Sequence, residues 1–149
     1  MAVGAWAVYN LAKKKIGNAS LSLASTAFRL QLHTSASNAN TATLGTIASV
    51  DNQVTEANGY SSSGKALTGE TWTVGASAGQ YRFDTDDVFW SANGGTIPNI
   101  KFAVMWISGA SAGARHLLCR SQLSTSQFTI SSGNRLTIAM NASGVLTLA

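Results

Sequence analysis

The sequence predicts an all-β fold: an antiparallel β-sandwich, jelly-roll-like or Greek-key, with a short N-terminal helix. Short runs of alternating or β-branched apolar residues follow one another in quick succession from TWTVG onward. Turn residues, mainly Gly, Asn and Ser, separate them. The clearest helical pattern stands at the start, in WAVYNLAKKKIGN. A chain of 149 residues fits one domain, 1–149. At this size about 70% of the unfolded surface is hidden on folding. Residues 1–18 are expected to be a helical segment docking on the protein itself or on a partner, and 26–149 the sandwich.

In the first segment Trp6, Tyr9 and Ile16 or Leu11 can share a helix face, and Gly17-Asn18 supplies a stop. Lys13, Lys14 and Lys15 suit the negative end of the helix dipole. FRLQLHT alternates as a half-buried strand does, with Phe28, Leu30 and Leu32 on one face and Arg29, Gln31 and His33 on the other. SASNANTAT reads as a polar loop and LGTIASV as one helical turn. Asn58-Gly59 signals a turn, and Ser61-Ser62-Ser63-Gly64 a flexible tip.

TWTVG places Trp72 and Val74 on one face, and YRF and DVFW follow. IKFAVMWI is an apolar run of strand length and is expected to be the central core strand. HLLCRSQL, QFTIS, RLTIAM and GVLTL complete the set. The terminal GVLTLA can finish the protomer's own sheet or pair with a neighbour.

Charged residues make up 11% of the chain, against about 25% in typical domains. Small neutral polar residues take their place, which suits a surface that packs against other proteins better than a charge-solvated enzyme. The net charge of +4 comes largely from Lys13 to Lys15. The arginines are spread singly, whereas a nucleic-acid binder clusters its basic residues on one face, so no nucleic-acid partner is expected. The lysine run is more often a solvated helix end, and an acidic protein surface is the partner it would fit. No segment approaches the ~18 apolar residues of a membrane span, so no membrane partner is expected. The positive charge follows the first apolar run, the reverse of a secretory signal, so use without Sec export is expected.

The single cysteine, Cys119, excludes an intrachain disulfide and a multi-cysteine zinc site. It reads as a small apolar strand residue. In FDTDDVFW, Asp84, Asp86 and Asp87 hold three of the six acidic residues. On a strand Asp84 and Asp86 would share a face, where they could bind a hard cation. The preferred reading is a turn capped by an Asp side chain, with the flanking aromatics entering the core. His33 and His116 lack a second His at metal spacing, and His33 is expected to be solvated or at an interface. GYSSSGKAL lacks the spacing of a phosphate loop, and no G-x-S-x-G elbow is present. No catalytic, cofactor or metal residue is therefore assigned, and no cofactor is expected. A hydrolase using Asp84 or Asp86 with a histidine is the weakest alternative.

Taken in order, Tyr9-Asn10, FRLQLHT, NGYSSSGKAL, FDTDDVFWS, KFAVMWI and NASGVLTLA cover most of the chain. In that order they resemble a family of small virion proteins from tailed bacteriophages. Such sequences begin with a Tyr-Asn-x-x-Lys-like helix, pass through Gly-Tyr…Gly-Lys-Ala-Leu and Asp-Asp-Val-x-Trp-Ser segments, and end in Gly-apolar-Leu-Thr-Leu. The lysine-rich helix and basic balance depart from relatives that are often acidic. The resemblance implies a non-enzymatic capsid decoration or cement protein, a homotrimer bound to the major capsid protein. It would sit on the outer capsid surface of a virion assembled in the host cytoplasm. Trp6, Tyr9, Lys13, Lys14 and Lys15 are the expected interface residues. The alternatives are a tail or head-to-tail structural protein, and a carbohydrate- or host-binding module using Trp6 or Trp72.

Overall fold

A computed structural model describes residues 4–24, 26–109 and 111–148, with residue 112 described by its backbone. The fold is all-β with one short helix, built from several antiparallel sheets. The strands are β1 (Ala7–Val8), β2 (Phe28–His33), β3 (Lys65–Ala66), β4 (Thr71–Val74), β5 (Tyr81–Asp84) and β6 (Val88–Ser91). They continue as β7 (Ile97–Ile100), β8 (Phe102–Ile107), β9 (Leu117–Gln122), β10 (Phe128–Ile130), β11 (Arg135–Ile138) and β12 (Leu146–Leu148).

The largest sheet has five strands in the order β1-β9-β8-β2-β3. β8 is its middle strand, where the apolar run predicted a core strand, and Phe102 to Trp106 are all buried. One row crosses the whole sheet through Val8, Cys119, Met105, Leu30 and Lys65. The remaining strands pair as β12-β5-β4, β11-β6 and β10-β7. Phe28 of the large sheet meets Phe83 of β5 edge to face, with ring centres 5.1 Å apart. Both rings are buried, so the core lies between these two sheets.

Local chemistry explains the irregular points. Asn58 and Gly59 both adopt positive φ, as the two central residues of a tight type I′ turn must, and Tyr60 N–H closes it on Ala57 O at 2.9 Å. In β7 two residues, Pro98 and Asn99, stand between partners separated by only one residue in β10. Pro98 has no N–H to give a ladder and Asn99 adopts φ 62°, so the pair forms a bulge. The predicted helical turn is a 3-10 turn at Ile47–Ser49.

Two local expectations need correction. Helix α1 spans Asn10–Gly17, and Trp6 lies outside it. Ala7–Val8 is instead an edge strand on β9, and Tyr9 N–H bonds Leu118 O, so the segment finds sheet partners before it can coil. Trp6 therefore shares no helix face with Tyr9 and Ile16. The stop at Asn18 is as expected, with its N–H on Lys14 O. The Ser61 to Gly64 segment is tied down: Gln31 and Gln53 amides donate to Ser62 O, and Arg29 donates to Ser63 O and Gly64 O.

The terminal strand completes the protomer's own sheet. β12 pairs with β5, and Val145 N–H bonds Phe83 O at 2.7 Å. Residues 1–3 of the expected helical segment and residue 149 of the terminal run lie outside the described residues.

Candidate interaction surfaces

Of the expected interface residues, Lys13 and Lys14 are exposed and Lys15 is half-buried, all on α1. Trp6 is half-buried. It lines a cleft of about 690 Å³ between the β1 edge and residues 139–147. Tyr9 is a correction: it is wholly buried inside the protomer. Its hydroxyl donates to Ala39 O, and the Arg120 guanidinium lies 4.9 Å from its ring centre. Burial pushes its phenol pKa up, opposed by Arg120. A side chain so placed contributes to folding and offers nothing to a partner.

His33 is the second correction, for it is fully buried. Residues 51–54 run beside β2: Thr34 N–H bonds Asn52 O, Val54 N–H bonds Leu32 O, and His33 pairs with Gln53. The His33 end of the polar face of β2 is therefore met by a returning segment, while Arg29 on the same face stays half-exposed. His33 Nδ1 lies 3.0 Å from Asp51 O and Nε2 3.2 Å from Gln31 Oε1. Desolvation lowers the His33 pKa, opposed by the hydrogen bond to the Asp51 carbonyl. Cys119 is buried as expected, and desolvation raises its thiol pKa far from the reactive range.

The acidic block forms a turn between β5 and β6 whose three carboxylates take separate partners. Asp84 accepts from Thr85 N–H at 3.0 Å, Asp86 from the Thr68 hydroxyl at 2.9 Å, and Asp87 from Met140 N–H at 2.8 Å. Asp86 N–H also bonds Thr68 O, and a Cβ on Gly69 would stand 2.5 Å from the Asp86 carboxylate. These bonds tie the turn to the 68–69 loop and to the end of β11. They leave Asp84 and Asp86 serving different neighbours. Among the described residues no group of three His, Cys, Asp or Glu side chains could hold a metal ion. No helix among them is long and apolar enough to cross a membrane.

Sequence reasoning missed an exposed apolar row. In the three-stranded sheet, Val74, Tyr81 and Leu148 stand opposite one another across β4, β5 and β12. The row two residues along is Trp72, Phe83 and Leu146. Rows two residues apart share a face, so Val74, Tyr81 and Leu148 continue the face that carries buried Phe83. That face outreaches the core: Val74, Tyr81 and Leu148 are 63%, 47% and 57% exposed. The other exposed large hydrophobic among the described residues, Phe89, has Lys65 Nζ 4.1 Å and the Arg135 guanidinium 5.0 Å from its ring centre. Trp72 stacks on Tyr81 at 5.9 Å and 23°. Beyond it, a cleft of about 400 Å³ lined by Trp72, Leu148 and Ile16 leads to the last turn of α1. The alternation of TWTV and GVLTL carried the signal for a shared face. Nothing local told how far that face would be covered.

No family model matches the chain, and neither a curated protein nor a solved structure matches it.

Proposed function

We propose that the protein is a non-enzymatic structural subunit of a tailed-phage virion, of the capsid decoration or cement type. In this reading it assembles as a homotrimer on the outer surface of the capsid, in contact with the major capsid protein, after synthesis in the host cytoplasm. The observation that carries the reading is the row Val74, Tyr81 and Leu148, three of the four exposed large hydrophobics among the described residues, gathered on one sheet face. The low charge of the chain and its resemblance to small virion proteins support the same view. A specific contact of this kind buries roughly 1,200–2,000 Å². Many copies bound to one shell slow the release of its subunits through avidity. Lys13 and Lys14, exposed on α1, suit an acidic rim on the partner.

Electron microscopy of particles with and without the protein tests this reading. Density distributed over the whole shell is expected. Density confined to the tail vertex would remove it in favour of a tail or head-to-tail structural protein. A second reading, a carbohydrate- or host-binding module, draws on the near-parallel Trp72–Tyr81 pair. Glycan-array binding that is lost in Trp72→Ala would favour it.

A further inference from the structure

We propose that a small cleft between β2, β8 and the turn leading into β9 binds a carboxylate. Arg29 and Trp106 are directly paired residues of β2 and β8, so they share a sheet face. The Arg115 guanidinium carbon lies 5.7 Å from the centre of the Trp106 ring. Arg29, Trp106 and Arg115 line the cleft together with Ile47, Ser63 and Ser108, enclosing about 250 Å³.

Both guanidinium groups are held by neutral acceptors. Arg29 donates from Nε to Ser63 O at 2.7 Å and from Nη2 to Gly64 O at 2.8 Å. Arg115 donates from Nε to Gly109 O at 3.2 Å. Two carbonyl oxygens fix the plane of the Arg29 fork and one anchors Arg115, without neutralising either charge. No carboxylate lines the cleft, and Glu56 beside it accepts from Ser62 N–H and the Ser62 hydroxyl. The Trp106 indole N–H is buried and has no partner among the described residues. Two cations held only by neutral acceptors line this one cleft, and an anion entering it meets complementary charge.

The geometry favours a carboxylate over other anions. The guanidinium fork matches a planar two-oxygen acceptor, and the Trp106 ring and Ile47 offer an apolar wall to the carbon chain behind it. The volume is below the roughly 300–1,000 Å³ usual for small-molecule sites, so the ligand is of side-chain or monosaccharide size. A glutamate side chain on a protein and a free sugar acid present the same chemistry.

The intact protein labelled with ¹⁵N gives the readout through its tryptophan indole N–H signals, with Trp106→Phe assigning the relevant one. N-acetylglutamate methylamide, glucuronate and sodium sulfate are titrated separately, each against sodium chloride of equal ionic strength. We expect a saturable displacement of the Trp106 signal by one or both. Affinity should fall roughly tenfold or more in Arg115→Gln, the loss expected for a charge-assisted hydrogen bond. Melting curves confirm that the variant is folded, and Arg115→Lys, which keeps the charge but loses the fork, serves if it is not. Tighter binding of the glutamate derivative points to a protein side chain, and tighter binding of glucuronate to a free acid. Either result supports the site. No saturable displacement by either acid, unchanged affinity in the folded Arg115 variant, or equally tight binding of sulfate overturns it.

Discussion

The hydroxyl of Tyr9 donates to the main-chain carbonyl of Ala39 at 2.6 Å, and both residues are wholly buried. This bond fastens the junction of β1 and α1 to the polar 35–43 loop. Removing the hydroxyl leaves a buried carbonyl without its partner. Tyr9→Phe should therefore lose about 1–3 kcal/mol in urea unfolding, with its far-ultraviolet spectrum unchanged. A loss near zero would mean that water replaces the bond.

The exposed row makes the opposite prediction. Val74→Thr with Leu148→Thr keeps strand propensity and removes apolar surface that is mostly exposed in the protomer. Its unfolding free energy should stay within about 0.5 kcal/mol of the parent, as for ordinary surface changes. Light scattering should show a loss of oligomer, and particle-binding assays a loss of decoration. An unchanged oligomer that still decorates particles would remove the row from the interface.

His33 sets a pH dependence. Its folded pKa is lowered, so below the ordinary histidine value of about 6.5 the unfolded chain takes up a proton that the folded protein resists. The associated stability is complete above that pH and is lost as pH falls through it toward the folded value. His116 is lowered too, through desolvation and the nearby Lys15 charge, and acts with the same sign. Melting temperatures measured between pH 7.5 and 5 should decline, and His33→Gln should flatten the decline.

The acidic turn is expected to behave as a tie. Asp87→Ala removes the acceptor for Met140 N–H and should cost about 1 kcal/mol, as loss of a cap does. Millimolar calcium should leave the melting temperature of the parent unchanged. A calcium-dependent rise that disappears in Asp84→Asn or Asp86→Asn would restore a cation to this turn.

Much of the backbone plan was legible because it rests on local chemistry. The run from Phe102 to Ile107 was long and β-branched enough to mark the middle strand, Asn58-Gly59 marked its turn, and Cys119 behaved as the apolar residue its neighbours implied. His33, read on a strand, and Tyr9, read on a helix, were misplaced because neither period shows what comes to cover a face. A period of two separates the faces of a strand, but it does not reveal what covers the second face. For His33 that cover is a loop returning some twenty residues later, and for Tyr9 it is Ala39 and Arg120. The apolar row failed the other way: its face was read correctly, and its missing cover depends on the relative reach of two sheets.

The strand order of the large sheet also governs when the protein can fold. Only β8 and β9 are near neighbours along the chain; Leu30 waits for Met105, Val8 for Cys119, and, in the smaller sheet, Phe83 for Leu146. A ribosome therefore releases nearly the whole polypeptide before its first strand finds a place. Distant pairing of this kind brings folding into the millisecond-to-second range. During that interval the apolar stretch of β8 is without its neighbours, and a burst of synthesis exposes many such stretches at once. Growth temperature and expression rate, acting before the distant pairs close, should govern the soluble yield more strongly than changes to the finished surface.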